Sequence, residues 1–366
     1  MAQTGCSWML RSIIARSAAD APSRADDGTT AANEDLMTSP EPNYPAGVSL
    51  ESRPCPNGCE PADQSVLVGQ DRIHGIPGRF TVVRCQHCGL MRTDPRPTPQ
   101  TIGAYYPADY APHRAVDAVS KPKVRKWRHR FKDKIARLLG RDVRRLPPIE
   151  PGHMLEIGCA SGAYLKEMRA QGWSVEGIEY SDAAAQSARE MGIHVQTASV
   201  ETARDPERTA DVATAWMVLE HLHDPVQALV KIRRWLKPDG YLVGVVPDAN
   251  ALDRRLFGEL WYALQLPSHL YHYTPATLRQ VLDTAGWELV QTRWQPNERN
   301  LLISLEWWLA GRNRPTAKKC LLWLKEARGA RRLRRWLAWT LGVTHQSGRM
   351  EFWARPKRTQ DREAKA

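Results

Sequence analysis

The residues that point most directly to chemistry surround a glycine-rich turn near the middle of the chain. A predicted buried strand ends near Glu156, and Gly158 and Gly162 follow it in a turn that opens a helix. Glycine at these positions allows φ > 0 and lets a ligand approach the main chain closely. The G-x-x-x-G spacing is not the dinucleotide fingerprint, and no Gly-Lys-Ser/Thr follows as in a phosphate-binding loop. Because an acid here would repel a pyrophosphate, Glu156 favours a cationic ligand.

A second acid, Glu179, stands 21 residues after Gly158, at the end of the next predicted strand. A carboxylate at the corresponding position of a dinucleotide-binding fold accepts the ribose hydroxyls. Together, the two acids favour a ligand that has an adenosine, no phosphates and a positively charged amino-acid tail.

These residues and two later motifs resemble the class I S-adenosylmethionine (SAM)-dependent methyltransferases over roughly residues 150–295. The resemblance implies that SAM is the cofactor, with the first turn contacting its methionine end and Glu179 its ribose. Ala160 departs from the pattern, because many members have a third glycine there. The cofactor-binding residues that the resemblance implies are Glu156, Gly158, Cys159, Gly162, Glu179, Tyr180, Ser199, Val200, Trp216, Val218 and Leu219.

The resemblance also places the methyl acceptor beside two segments that contain histidines. Glu220 and His221 close the apolar run after the predicted fourth strand, and His269 and His272 follow the fifth. A general base is needed only when the acceptor must lose a proton. His269 is the first candidate for this catalytic role, followed by His221 and His272.

The neighbours of these histidines also allow a purely structural interpretation. Tyr271 and Tyr273 would then pack in the core, and His272 would cap the helix that begins at Thr274. Both interpretations stay open from the sequence.

Four of the seven cysteines form two close pairs, Cys55/Cys59 and Cys85/Cys88. Four thiolates in this arrangement favour tetrahedral Zn²⁺, and a site whose four positions are all filled by protein is structural. Such pairs also indicate a reducing compartment. Cysteines without metal and a redox role are the alternatives.

The second cysteine pair and the proline-rich stretch after it resemble a bacterial methyltransferase subfamily with an N-terminal zinc module. Members of that subfamily modify sugars, lipids or secondary metabolites. We therefore expect SAM-dependent methylation of a small molecule, namely a sugar, a lipid-linked saccharide or a secondary metabolite. One alternative is a non-catalytic scaffold that binds zinc and SAM while docking to a membrane or a partner. The other is an RNA methyltransferase.

Predicted strands and helices alternate from His153 onward, which indicates a parallel sheet with helices on both faces. With the resemblance, this predicts an α/β, Rossmann-like, seven-stranded methyltransferase domain with a small N-terminal zinc module and a C-terminal helical insertion. Strands are expected at 154–157, 174–178, 194–197, 211–215, 241–246, 287–294 and 349–355. The expected divisions are a disordered leader (1–50), a zinc-binding module (51–95), a linker with a basic amphipathic helix (96–149), the methyltransferase domain (150–298), a helical basic insertion (299–342), the final strand of the sheet (343–358) and a tail (359–366).

Composition and charge exclude several classes of protein. With 42% hydrophobic and 25% charged residues, the 366-residue chain can bury a core and is not disordered throughout. No apolar run approaches the roughly 18 residues that span a bilayer, which argues against an integral membrane protein. The net charge of +12 arises from residues 121–145, with 12 Lys/Arg and two acids, and 312–335, with 10 Lys/Arg and one acid.

The two basic segments fit three interpretations. They could bind an anionic membrane surface, contact RNA phosphates, or remain solvated while their apolar residues pack on the domain. No RNA-binding module signature accompanies the charge, which argues against nucleic acid as a partner. We expect a cytoplasmic protein with a small-molecule acceptor, and the inner face of a membrane as a peripheral location.

Overall fold

The computed structural model describes residues 43–106 and 146–357. The first 42 residues of the predicted leader, the basic helix predicted between the zinc module and the main domain, and the predicted tail lie outside the described residues.

The cysteine-containing segment folds into small antiparallel sheets. Its strands are β1 (Leu50–Glu51), β2 (Asp63–Gly69), β3 (Phe80–Cys85), β4 (Met91–Thr93) and β5 (Arg96–Pro97). β2, β3 and β4 are successive neighbours, whereas β1 pairs with β5. Phe80, Val82 and Tyr105 pack together in the core of this module.

The main domain is built on one large sheet. The remaining strands are β6 (His153–Ile157), β7 (Ser174–Glu179), β8 (His194–Thr197), β9 (Ala210–Trp216), β10 (Leu236–Pro247), β11 (Tyr271–His272), β12 (Trp287–Trp294) and β13 (Arg349–Pro356). All except β11 form a seven-stranded sheet in the order β12-β13-β10-β9-β6-β7-β8. β13 is antiparallel to both neighbours and the other pairs are parallel. All five residues of β6 are buried, as expected of a parallel strand covered on both faces.

Eight α-helices accompany these strands in the described part of the chain. They are α1 (Ala163–Ala170), α2 (Asp182–Glu190), α3 (Pro225–Trp235), α4 (Leu252–Phe257), α5 (Pro275–Thr284), α6 (Arg299–Ala310), α7 (Pro315–Glu326) and α8 (Arg331–Val343). The side chains of Ser181, Asp224 and Thr274 cap α2, α3 and α5 by accepting a backbone N–H bond from three residues further on. The predicted seven-stranded, Rossmann-like fold is therefore confirmed.

The predicted helical insertion is also confirmed, since α6, α7 and α8 lie between β12 and β13. Leu302, Leu309 and Leu321 form a small core between α6 and α7. No helix in the described ranges has both the length and the apolar character that a membrane span requires.

One short strand joins the cysteine module to the main domain. β11 pairs antiparallel with β4, with Tyr271 opposite Arg92 and His272 opposite Met91. The resulting four-stranded sheet has the order β11-β4-β3-β2. The sequence pattern predicts no strand here, because two residues are too few for a recognisable alternation. The segment with the predicted acceptor-side histidines thus belongs to the sheet of the cysteine module.

Candidate active site

The glycine-rich turn follows β6 and adopts the left-handed backbone conformation three times. Gly158 has φ 67°, Ala160 has φ 48° and Gly162 has φ 75°. The conformational reason for the two glycines is therefore as predicted. Ala160 adopts the same conformation with a Cβ, which is costly for an L-residue. Position 160, where the resemblance leads one to expect glycine, is thus a strained alanine.

Packing gives both glycines a second role that the sequence pattern does not reveal. A Cβ on Gly158 would lie 2.9 Å from Val218 Cγ2, on the loop after β9. A Cβ on Gly162 would lie 2.8 Å from the Cβ of Ala188 and 2.9 Å from Ile193 Cδ1. Glycine therefore lets the loop after β9 and helix α2 approach the turn.

Glu179 connects the turns that follow β6 and β7. Its carboxylate accepts hydrogen bonds from the backbone N–H of Ala160 and of Ser181, each at 2.8 Å. Glu156 is buried near the end of β6. Both acids influence the thiol of Cys159, which lies between them in the sequence. Burial, then the charges of Glu156 and Glu179, raise the pKa of Cys159. The two acids therefore meet at the glycine turn, as expected for the carboxyl ends of adjacent parallel strands.

The other residues predicted to bind the cofactor differ in accessibility. Tyr180 follows β7 with 62% of its surface exposed, and Trp216 packs edge-to-face on Tyr164 with the ring centroids 5.4 Å apart. Val218 is half-buried at the turn, and Ser199 forms a turn with Thr202 through their hydroxyls. Cys159, Val200 and Leu219 have buried side chains. These last three residues can offer a ligand mainly their backbone atoms.

Three predicted acceptor-side residues come together beyond the carboxyl end of β9. One ligand atom each of Glu220, His221 and His269 lies within 4.8 Å of the others. The rings of His221 and His269 are perpendicular, with centroids 4.7 Å apart. Two imidazoles and a carboxylate at this spacing can accept and donate protons. The same three side chains could also coordinate a divalent cation. These three residues form the histidine cluster.

Backbone carbonyls fix the tautomers of both imidazoles. His269 Nδ1 lies 2.9 Å from Ala263 O, and His221 Nδ1 lies 2.8 Å from Ser268 O. A carbonyl can only accept, so each Nδ1 carries the proton and each Nε2 carries the lone pair. The hydroxyl of Tyr106 also lies 3.0 Å from His221 Nδ1. Both imidazoles are thus oriented as bases at Nε2.

Burial sets the charge state of Glu220 and of His269. Glu220 is fully buried and, among the described residues, neither carboxylate oxygen has a hydrogen-bond partner. Burial therefore raises the pKa of Glu220 to about 8. Burial, and then the neighbouring His221 and His272, lower the pKa of His269 well below its usual value. A neutral imidazole thus faces a carboxyl that keeps its proton near neutral pH.

His272 lies outside this cluster. It is buried on β11, with its Nε2 3.4 Å from the hydroxyl of Thr93, and burial lowers its pKa to about 3. The cap of α5 is Thr274 rather than His272, because Thr274 and Thr277 form a reciprocal capping box. In the described structure, His272 thus faces the cysteine module.

The cysteine module holds the segment that carries His269. Thr93 donates from its backbone N–H to Leu270 O and from its hydroxyl to His269 O, each at 2.9 Å. The buried guanidinium of Arg96 donates to Tyr271 Oη at 3.1 Å and to His223 O at 2.7 Å. These contacts link residues that are far apart in the sequence, and no local sequence pattern predicts them.

The four predicted metal-binding cysteines converge in the module. The sulfurs of Cys55, Cys59, Cys85 and Cys88 all lie within 4.8 Å of one another, and those of Cys55 and Cys88 are 3.5 Å apart. A tetrahedral zinc site with Zn–S bonds of about 2.3 Å needs sulfurs about 3.8 Å apart. Although burial raises the pKa of Cys88, N–H donors from Leu90 and Asn57 lower it overall, whereas burial raises the pKa of Cys55 and of Cys59. The donor set therefore fits a tetrahedral metal ion.

Comparison with known protein families identifies relatives of the domain that contains the seven-stranded sheet. The profile of a family described as "Methyltransferase domain" matches residues 124–292. Among curated proteins, the ubiquinone biosynthesis O-methyltransferase of Saccharophagus degradans is 28% identical over 149 residues, which cover 37% of this chain and 63% of that enzyme. The enzyme of the same name from Alkalilimnicola ehrlichii is 34% identical over 102 residues, covering 26% of this chain and 41% of that enzyme. The chain thus spans less than two thirds of either enzyme.

Among solved structures, a SAM-dependent methyltransferase from Mesorhizobium loti is similar with a TM-score of 0.39 and 16% identity, over 61% of this chain and 96% of that one. The family match covers the glycine turn, both acids and the histidine cluster. The strand order, the turn and this family match together show that the chain contains a methyltransferase domain.

Proposed function

We propose that the chain is a class I SAM-dependent methyltransferase and that it methylates a small-molecule acceptor, namely a sugar, a lipid-linked saccharide or a secondary metabolite, at a group that must lose a proton. The observation that carries this proposal is the histidine cluster beyond the carboxyl end of β9. An acceptor without an acidic hydrogen would need no such group, because the sulfonium is already an activated methyl donor. The curated relatives are named O-methyltransferases, which supports a hydroxyl as the acceptor group.

His221 is the base in this proposal, with His269 and Glu220 behind it. His221 is half-buried, whereas His269 and Glu220 are enclosed. Access therefore favours His221 over His269, the first candidate from the sequence. The proton of the acceptor moves to His221 Nε2 while the acceptor atom bonds to the methyl carbon and the carbon–sulfur bond breaks. S-adenosylhomocysteine leaves, and water takes the proton from the imidazole.

The two acids of the glycine turn orient the cofactor in this proposal. Glu179 accepts one backbone N–H bond at each oxygen, and a carboxylate has further lone pairs for the two ribose hydroxyls. Glu156 faces the cationic amino-acid end. The role of these residues is to position the methyl group in line with the acceptor and to exclude water.

A structural Zn²⁺ in the four-cysteine cluster is part of the proposal. Four sulfurs at this spacing fill a tetrahedral ion and leave no open coordination position, so the metal would hold the module together rather than react. If the acceptor is lipid-linked, the enzyme would work peripherally at the inner face of a membrane.

The proposed function is tested by methyl transfer from radiolabelled SAM into fractionated cell extract. We expect label in a small-molecule or lipid fraction, a loss of at least about tenfold in rate for His221→Gln, and unchanged SAM affinity in calorimetry. His194→Gln, a change of an exposed histidine on β8, is the matched control and should keep the rate. Label in bulk RNA, or no transfer by a protein that binds SAM, would contradict the proposal.

A further inference from the structure

We infer that the outer surface of α7 and α8 docks on an anionic lipid bilayer. This surface, the docking face, lies on the insertion between β12 and β13 and is separate from the glycine turn and the histidine cluster. The inference therefore goes beyond the proposed function and does not depend on which acceptor is methylated.

Exposed large apolar side chains are concentrated on these two helices. Of the ten in the described residues, six belong to the docking face, and the other four are scattered over the molecule. The six are Leu322 (54% exposed), Trp323 (51%), Leu333 (44%), Trp336 (60%), Trp339 (47%) and Val343 (59%). Such a concentration on a monomer surface marks an interaction site.

The helical spacing separates this surface from the face that α8 uses for packing. Trp336, Trp339 and Val343 recur at steps of three and four residues and so form one stripe. Ala338 and Leu341, on the other side of α8, are buried against the domain. An apolar stripe at this spacing ordinarily faces the core of a protein. The three residues of this stripe are instead exposed, so no described residue covers them.

Cations flank the exposed tryptophans along the chain. Residues 312–335 contain ten Lys/Arg and one acid, Glu326. Lys319, Arg331, Arg332 and Arg335 are exposed, and none of them forms an ion pair with another described residue. Lysine and arginine attract the anionic headgroups of a leaflet, and tryptophan prefers the boundary between headgroups and acyl chains.

The chemistry of the docking face favours a membrane over the other occupants. Two copies of the chain meeting through this face would bring two strongly positive surfaces together, which like charges disfavour. Single-stranded nucleic acid could stack on tryptophan, but Leu322, Leu333 and Val343 offer nothing to a base or a phosphate. Aliphatic side chains next to tryptophan and arginine fit the acyl boundary of a bilayer.

Co-sedimentation of the full chain with vesicles tests the inference. One set consists of phosphatidylcholine alone, and the other contains about one third phosphatidylglycerol. We expect at least about tenfold tighter partitioning onto the anionic vesicles, decreasing with added salt. Trp336→Ser with Trp339→Ser, and separately Arg331→Glu with Arg332→Glu and Arg335→Glu, should each lower partitioning about tenfold or more.

Val290→Ser is the matched control, because Val290 is 46% exposed on β12, away from the docking face. It should partition like the wild type, and all variants should keep the wild-type SAM affinity, which shows that they are folded. Equal partitioning of the wild type and the tryptophan variant would overturn the inference. So would a dimer, or a complex with a single-stranded oligonucleotide, that the tryptophan variant abolishes while vesicle binding persists.

Discussion

The side-chain hydroxyl of Thr93, in the cysteine module, donates a 2.9 Å hydrogen bond to the backbone carbonyl of His269, in the methyltransferase domain. The two residues are 176 positions apart in the sequence. The backbone N–H of Thr93 also donates to Leu270 O, and Leu270 N–H in turn donates to Glu220 O at 2.7 Å. The module thus reaches both chain segments of the histidine cluster through consecutive hydrogen bonds.

Removing the Thr93 hydroxyl should disturb the cluster more than it disturbs the cofactor site. Thr93→Val keeps the shape and the backbone N–H but leaves the carbonyl of His269 without this donor, at a cost of about 1–2 kcal/mol in the free energy of unfolding. We expect kcat to fall severalfold, with unchanged SAM affinity, in steady-state assays and calorimetry. Thr93→Ser retains the hydroxyl and should behave like the wild type. A Thr93→Val enzyme that is less stable but has full kcat would show that Thr93 serves only the fold.

Loss of the metal from the cysteine cluster should have the same selective effect. Cys85 ends β3, which pairs with β4, and β4 pairs with the strand that follows His269. We expect about one zinc per wild-type chain by metal analysis. Cys85→Ser should lose the zinc and most of the transfer rate while still binding SAM. Cys320→Ser, which alters a cysteine of α7 outside the cluster, is the control and should retain both. Less than half a zinc per wild-type chain would contradict the proposed site.

The buried carboxyl of Glu220 should make the protein less stable as the pH rises. Burial raises its pKa from 4.5 to about 8, so the folded protein keeps a proton that the unfolded chain releases. The stability contributed by this residue is therefore fully present below about pH 4 and is lost progressively up to about pH 8. The glutamine of Glu220→Gln cannot ionise. The free energy of unfolding of this variant should therefore rise relative to that of the wild type by at most about 1.4 kcal/mol per pH unit across this window.

Denaturant unfolding at several pH values measures this effect. Glu190→Gln, which alters an exposed carboxylate at the end of α2, is the control and should follow the wild type. A constant difference between Glu220→Gln and the wild type from pH 5 to pH 8 would mean that Glu220 is ionised in the folded protein.

The strained alanine of the glycine turn offers a stabilising substitution. Ala160 has φ 48°, a conformation that costs an L-residue about 1–2 kcal/mol and costs glycine little. Since glycine also increases the entropy of the unfolded chain, Ala160→Gly should raise the free energy of unfolding by at most about 1 kcal/mol. Thermal unfolding tests the change, and a lower melting temperature would show that the Ala160 methyl group contributes packing that outweighs the strain.

Local patterns were sufficient to predict the main sheet. Six of its seven strands were expected within one residue of their observed bounds, because long buried apolar runs carry a clear signal. The exception is β10, which begins at Leu236, five residues before its expected start at 241. The glycine turn and its two acids were also predictable, since they lie at the ends of adjacent parallel strands. β11, in contrast, consists of only two residues and exists because β4 supplies its hydrogen bonds.

Burial and tertiary contacts account for what the sequence could not indicate at the site. His221 and His269 are the same residue type, so the sequence does not show how their accessibility differs. In the structure, His221 is half-buried and His269 is enclosed. The contact between Thr93 and His269 depends on how the module docks, which no local pattern encodes. The roles of the three predicted histidines therefore remain predictions for the variants described above.

We propose that the turn after β6, together with Glu179, binds SAM. Calorimetric titration of the purified chain with SAM tests it most directly, using the wild type, Glu179→Ala and the control Glu167→Ala, which alters an exposed acid on α1. We predict one SAM per wild-type chain, the same affinity for the control, and at least about a tenfold loss for Glu179→Ala, because the ribose hydroxyls lose a charged acceptor. No heat of binding for a folded wild type, or undiminished affinity in Glu179→Ala, would contradict the account.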